Sequence, residues 1–160
     1  MNIIVEKLKA LNKTISTMES CTGGGVANAI TNIEGASEVL KFSAVTYSNE
    51  YKIKMGVDKN IIDKYTVYSI QVANEMSKKI SDFTNSDYGI GITGKLNRVD
   101  ENNPYGLDNI VYISIYDKEK NKFHNYTMEV SKKSRKENKE LIIDLIANEL
   151  LKILNYNQEG

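Results

Sequence analysis

Ile15-Ser-Thr-Met-Glu-Ser-Cys-Thr-Gly-Gly-Gly-Val-Ala-Asn-Ala-Ile30 passes from a short β-capable run, through a turn of small residues, into a helical pattern. A strand over Ile15 to Met18, a turn from Ser20 to Gly25 and a helix opening at Val26 make the first unit of a sheet flanked by helices. The same geometry aims backbone N–H groups at whatever sits in the turn. Ahead of this unit, residues 1–13 read as an amphipathic helix with Ile3, Ile4, Leu8 and Leu11 on one face. After it, Val39 to Tyr47 has strand character, and Tyr51 to Met55 and Asn60 to Lys64 read as short helices. Ser69 to Phe83 is helical, with Ser69 as N-cap and Val72, Met76 and Ile80 at spacing four. Tyr88 to Thr93 is a buried strand, and Asn97 to Asn109 a polar loop holding the one proline, Pro104. Ile110 to Tyr116 and Lys122 to Val130 form a hairpin. A last helix runs from about Lys133 to Leu154 with Leu141, Leu145, Ile146, Leu150 and Ile153 along one face, and the polar end beyond it is expected to fray.

The pattern predicts an α/β fold: one three-layer α/β/α domain with a mixed sheet over residues 1–156, the first and last helices close together, and a polar tail at 157–160. A chain of 160 residues, 41% hydrophobic, suits one domain with its own core. Lys plus Arg and Asp plus Glu balance at 21 each, so neither nucleic acid nor an anionic membrane is indicated as a partner. The single cysteine, Cys21, rules out an intrachain disulfide, and with His124 the one histidine there are too few soft ligands for a typical zinc site. The N-terminal stretch carries Glu6 among lysines and no long apolar run, unlike a signal peptide or a membrane span. The expectation is a cytoplasmic protein without metal or cofactor.

Two segments bear on chemistry. Gly89-Ile-Gly-Ile-Thr-Gly94 matches the spacing of the dinucleotide-binding fingerprint, but its glycines lie inside a strand and no helix opens within it. Glycines that let a neighbouring element pack closely explain it better. Glu19-Ser-Cys-Thr-Gly-Gly-Gly25 sets three small nucleophile-capable side chains at a strand-to-helix turn, before glycines that let a substrate reach the backbone. Ser20, Cys21 and Thr22 are all candidates to attack, and the stretch equally suits an N-capping hydroxyl beside a buried cysteine. Tyr47-Ser-Asn-Glu-Tyr-Lys52 follows the second strand, whose end an α/β sheet can bring beside Ser20. A lysine there activates a serine only if it is neutral when it accepts the proton.

Met18-Glu-Ser-Cys-Thr-Gly-Gly24, followed by Val45-Thr-Tyr-Ser-Asn-Glu50 and Lys52, resembles the paired signature of the CinA C-terminal domain family, the nicotinamide mononucleotide deamidases. Gly56-Val57, the helix start at Ser69, Gly91-Ile-Thr-Gly94, the stretch from Gly106 to Ile113 and Arg135 follow in the family's order. The resemblance implies metal-independent hydrolysis of a nicotinamide nucleotide to the acid and ammonia. Carried over by position, Ser20 is the nucleophile, Lys52 the general base, and Tyr47 orients or relays a proton. Thr93 and Arg135 become substrate binders, Arg135 toward the ribose phosphate, while Thr22, Gly23 and Gly24 offer the turn to a phosphate or an oxyanion. Cys21 is read as structural. A homodimer or higher homo-oligomer is the expected assembly. After Gly94 the family usually continues Ile-Ala-Gly-Pro with further glycines, whereas this chain has the larger, charged stretch 95–103. Lys95 and Arg98 within it are candidate phosphate contacts, or solvated loop residues. The altered loop admits a second reading, a catalytically silent nucleotide- or partner-binding module.

Overall fold

The computed structural model describes residues 1–96, 107–131 and 134–159. Helix α1 (Asn2–Leu11) leads into β1 (Ile15–Glu19), and α2 (Gly25–Thr31) follows the small-residue turn. Next come β2 (Ser43–Val45), α3 (Asn49–Lys54), α4 (Lys59–Tyr65), α5 (Ile70–Thr84) and β3 (Tyr88–Gly94). The hairpin of β4 (Ile110–Asp117) and β5 (Lys122–Glu129) precedes α6 (Arg135–Glu159). The five strands form one mixed sheet in the order β2-β1-β3-β4-β5, with β1 parallel to β2 and β3 and the hairpin antiparallel.

Strand alternation builds the two covered faces. Ile15 on β1, Tyr88, Ile90 and Ile92 on β3, and Val111, Ile113 and Ile115 on β4 pack with α1, α2 and α6. Met18 points the other way, into a smaller cluster with Val57, Ile62, Val72, Met76 and Ile80. This is the expected three-layer arrangement, and Ser69 caps α5 as predicted, its Oγ accepting from the Val72 amide at 3.2 Å.

Gly89 and Gly91 explain themselves by the close approach of α5. A Cβ on Gly91 would run into the Ala73 carbonyl, and one on Gly89 into that of Ser77. The apparent dinucleotide fingerprint is therefore a helix-packing device. Gly91→Ala should destabilise the fold by about 3 kcal/mol, because the obstacle is helix backbone, which cannot swing aside. A thermal melt checks it, with a fall of roughly 10 °C expected for a domain of this size.

Several local expectations need correction. The second strand is only three residues long: a 3-10 turn over Ala36–Glu38, opened by Gly35 at φ 86°, puts the Val39 side chain into the core, and the Val39 carbonyl accepts from the Ile15 amide at 2.8 Å ahead of the strand itself. On α1 the buried face is Ile4, Val5 and Leu8, leaving Ile3 exposed. On α6 it centres on Ile142, Ile146, Leu150 and Ile153, with Leu141 and Leu145 half-buried at its flanks. That helix does not fray at Leu154. It continues to Glu159, where Asn157 Nδ2 donates to the Tyr88 hydroxyl at 2.7 Å and to Asp117 Oδ2 at 2.9 Å, tying the last turn to the sheet. Lys133 and most of the polar loop lie outside the described residues. Among the described residues no helix is long and apolar enough to cross a membrane.

Candidate active site

The parallel strands β2, β1 and β3 end together, and the crevice beyond their carboxyl ends is where open α/β sheets bind ligands. Ser20 stands one residue past β1, held there by its own N–H, which donates to the Ile92 carbonyl at 3.0 Å. Thr46 is fixed in the same way past β2, its amide donating to the Glu19 carbonyl at 2.8 Å. Ser48 then caps α3, accepting from the Tyr51 amide, and sets the direction of a short helix whose Lys52 turns inward. Lys52 is 2% exposed and Ser20 7%. The lysine Nζ donates to Ser20 Oγ at 3.0 Å and to the Thr46 carbonyl at 2.7 Å. A neutral amine keeps two protons and one lone pair. With one proton engaged by the Thr46 carbonyl, its lone pair can turn toward the serine hydroxyl, which is the arrangement a general base needs.

Glu19 holds the turn in place, and sequence reasoning assigned it no role. It is fully buried. Its Oε1 accepts from Thr22 Oγ1 at 2.7 Å and the Val26 amide at 2.9 Å, and its Oε2 from the Ala27 amide at 3.0 Å and Thr17 Oγ1 at 3.1 Å. The carboxylate thus caps the N-terminus of α2 from the preceding strand and fixes Thr22, two residues beyond Ser20. Glu19→Ala would leave two amides and two hydroxyls without their acceptor. A loss of about 4 kcal/mol in stability is expected, measured by urea unfolding. A glutamate followed seven and eight residues later by a helix start was the available signal, but that spacing matches no local capping pattern.

The other candidates divide by position. Thr22 is buried with its hydroxyl committed to Glu19, so the side chain supports the turn. Gly23 and Gly24 adopt φ 61° and 94°, a left-handed path that favours glycine, and they keep the turn open. The Gly23 and Gly25 amides bond back to Ser20 and Thr22 within the turn. Thr93 reaches the same end of the sheet, but its hydroxyl donates to the Val67 carbonyl at 2.7 Å, leaving only lone pairs for a ligand. Tyr47 is 66% exposed, and its hydroxyl accepts from Arg135 Nη2 at 3.1 Å. The two form a rim contact beside the Ser20–Lys52 pair. Lys139, one turn further along α6, brings its Nζ over Gly23. Cys21 is buried, and burial pushes its thiol up to about 12 although Lys52 and Arg135 pull against that shift. A thiol so protonated is a poor nucleophile. Lys95 is buried at the end of β3, and Arg98 lies outside the described residues.

The family model of the CinA C-terminal domain matches residues 1–154. The chain belongs to the CinA C-terminal domain family. A CinA-like protein of Endomicrobium trichonymphae is 36% identical over 143 residues, covering 87% of this chain and 33% of that protein. A CinA-like protein of Kosmotoga olearia is 43% identical over 93 residues, covering 58% of this chain and 23% of its own length. The chain therefore spans about a third or less of these curated relatives. Among solved structures, a competence or damage-inducible protein from Enterobacter asburiae superposes with a TM-score of 0.85 at 26% identity, over 93% of this chain and 92% of that one. The competence/damage inducible protein CihA from Agrobacterium tumefaciens gives 0.83 at 27% identity, over 96% and 92%. In this CinA-family chain, the serine and lysine of the family signature meet across 32 positions of sequence.

Proposed function

We propose that this CinA-family domain is an amidohydrolase that converts nicotinamide mononucleotide to nicotinate mononucleotide and ammonia. The observation that carries the reading is the buried Lys52–Ser20 hydrogen bond at the carboxyl end of the sheet. The same place holds two buried polar atoms without a hydrogen-bond partner among the described residues, Thr46 Oγ1 and Lys95 Nζ, a pattern typical of sites built for a polar ligand.

In this mechanism neutral Lys52 takes the Ser20 hydroxyl proton as Oγ attacks the carboxamide carbon. The carbonyl electron pair moves to oxygen, and the turn amides that are not bonded back within it, those of Thr22 and Gly24, receive that oxyanion. Lys52, now an ammonium, returns the proton to the amide nitrogen as the C–N bond breaks and ammonia leaves. The resulting ester is opened by water, whose proton goes to Lys52 and then to the departing Ser20 oxygen. Tyr47 and Arg135 close the rim on the α6 side, orienting the nucleotide rather than moving protons.

The test is ammonia release from nicotinamide mononucleotide by the purified protein, with the acid nucleotide identified as the co-product. Turnover is expected. A folded protein that binds the nucleotide and releases no ammonia would overturn the amidohydrolase reading and leave a binding module.

A further inference from the structure

Lys95 presents a buried cation that the mechanism above does not use. Its side chain is 2% exposed, and its Nζ makes no hydrogen bond to any described residue. The nearest carboxylate oxygen, Asp108 Oδ1, stands 3.5 Å away on a side chain that is itself about half exposed. The ammonium lies 4.8 Å above the Tyr68 ring, which orients it without satisfying any of its three donors. Desolvating a charge and leaving its donors unmade is costly unless an anion completes the site.

The fold puts this group beside the chemistry. Thr93 and Lys95 alternate onto the same face of β3, the face on which Thr93 meets the Val67 carbonyl and Lys95 meets Tyr68. Ser20, two residues after Met18, lies on that face of β1, and β1 is the direct neighbour of β3. Lys52 reaches Ser20 from the β2 side, and Lys95 extends past the end of β3 on the same face, two residues beyond Thr93.

We propose that Lys95 Nζ binds the phosphate of the nucleotide substrate, with Asp108 as the exchangeable counter-ion that this phosphate displaces. A phosphate dianion replaces the carboxylate without leaving the ammonium unpaired, and it can accept the hydrogen bonds that Asp108 does not. A transient oxyanion fits less well, because Asp108 would stay in place and compete with it. Arg135, exposed and hydrogen-bonded to Tyr47, is a rim group by comparison. The proposal rests on the amidohydrolase reading for the remainder of the substrate.

The test compares nicotinamide mononucleotide with nicotinamide riboside, which lacks the phosphate, in the parent, Lys95→Met, Asp108→Asn and Arg135→Gln proteins. Calorimetric binding of ribose 5-phosphate runs alongside, so that phosphate recognition is read without turnover. In Lys95→Met, kcat/KM for the mononucleotide should fall roughly 10- to 100-fold, mainly through KM. The riboside should change little, and ribose 5-phosphate binding should weaken by a similar factor. Asp108→Asn should leave phosphate binding equal or tighter, whereas a merely structural ion pair would make both variants unstable with no change in discrimination. Equal losses on both substrates, or collapse of discrimination in Arg135→Gln alone, would overturn the assignment. Lys95-dependent phosphate binding in a protein that releases no ammonia would instead refute the amidohydrolase reading and keep this one.

Discussion

Ser20→Ala is expected to lower ammonia release from nicotinamide mononucleotide by roughly four orders of magnitude or more, while the protein stays folded and still binds the nucleotide. The loss should be that large because no other group among the described residues is placed to form the covalent intermediate. Thr22 is turned to Glu19, and the Cys21 thiol is held protonated by burial. The cost to folding should be small, about 1 kcal/mol, since the variant removes one hydrogen bond and a mostly buried oxygen, and Lys52 keeps its contact to the Thr46 carbonyl. Nucleotide affinity measured by thermal shift separates loss of chemistry from loss of the site. In the parent, quenching during turnover should trap an adduct of substrate minus ammonia on the peptide that contains Ser20. Near-parental turnover by the variant would move the nucleophile elsewhere, most simply to a directly activated water.

How legible this site was depends on the range of the interactions that build it. The passage from β1 through the glycines into α2 is local, so composition and spacing revealed it. The α5 pattern and its Ser69 cap are local for the same reason. Lys52, by contrast, sits between exposed Tyr51 and half-exposed Ile53, on a helix whose other lysine pairs with Glu50 at the surface. Nothing in that hexapeptide marks one lysine as buried. Only parallel pairing of β1 with β2 delivers it to Ser20, and the family resemblance supplied what the local pattern lacked. Glu19 carries no local signal, because a carboxylate at a strand end reads as ordinary until its four donors, two from α2, are seen together. Asn157 reads as part of a frayed tail because its partners, Tyr88 and Asp117, lie 69 and 40 positions away. Lys95 looked like part of a charged loop, and its burial follows from Tyr68 and the strand ends packing around it.

Lys52→Arg and Lys52→Met are expected to be about equally inactive, each losing at least roughly 10³-fold in kcat. The pair of variants distinguishes two roles that the Nζ–Oγ distance of 3.0 Å leaves equivalent. If the side chain only positioned Ser20 by donating a hydrogen bond, arginine, a permanent cation rich in donors, would preserve much of the rate. If it must accept a proton, arginine fails as completely as methionine, because it does not deprotonate in the working range. The pH profile of the parent carries the same argument in a second observable. A base that acts only as the neutral amine gives a kcat/KM that rises with pH, tenfold per unit where the ammonium predominates, and levels off once the amine does. In this reading the ammonium form of Lys52 cannot accept the serine proton, so the rate is expected to be lost as pH falls. Binding of the nucleotide should not follow that curve, since recognition is assigned to other residues. Methionine, similar in length and without charge, suits a side chain 2% exposed, so the melting temperature of Lys52→Met should stay near the parent's or rise. An active Lys52→Arg protein with a flat pH profile would remove Lys52 from proton transfer and leave it as the residue that aligns Ser20.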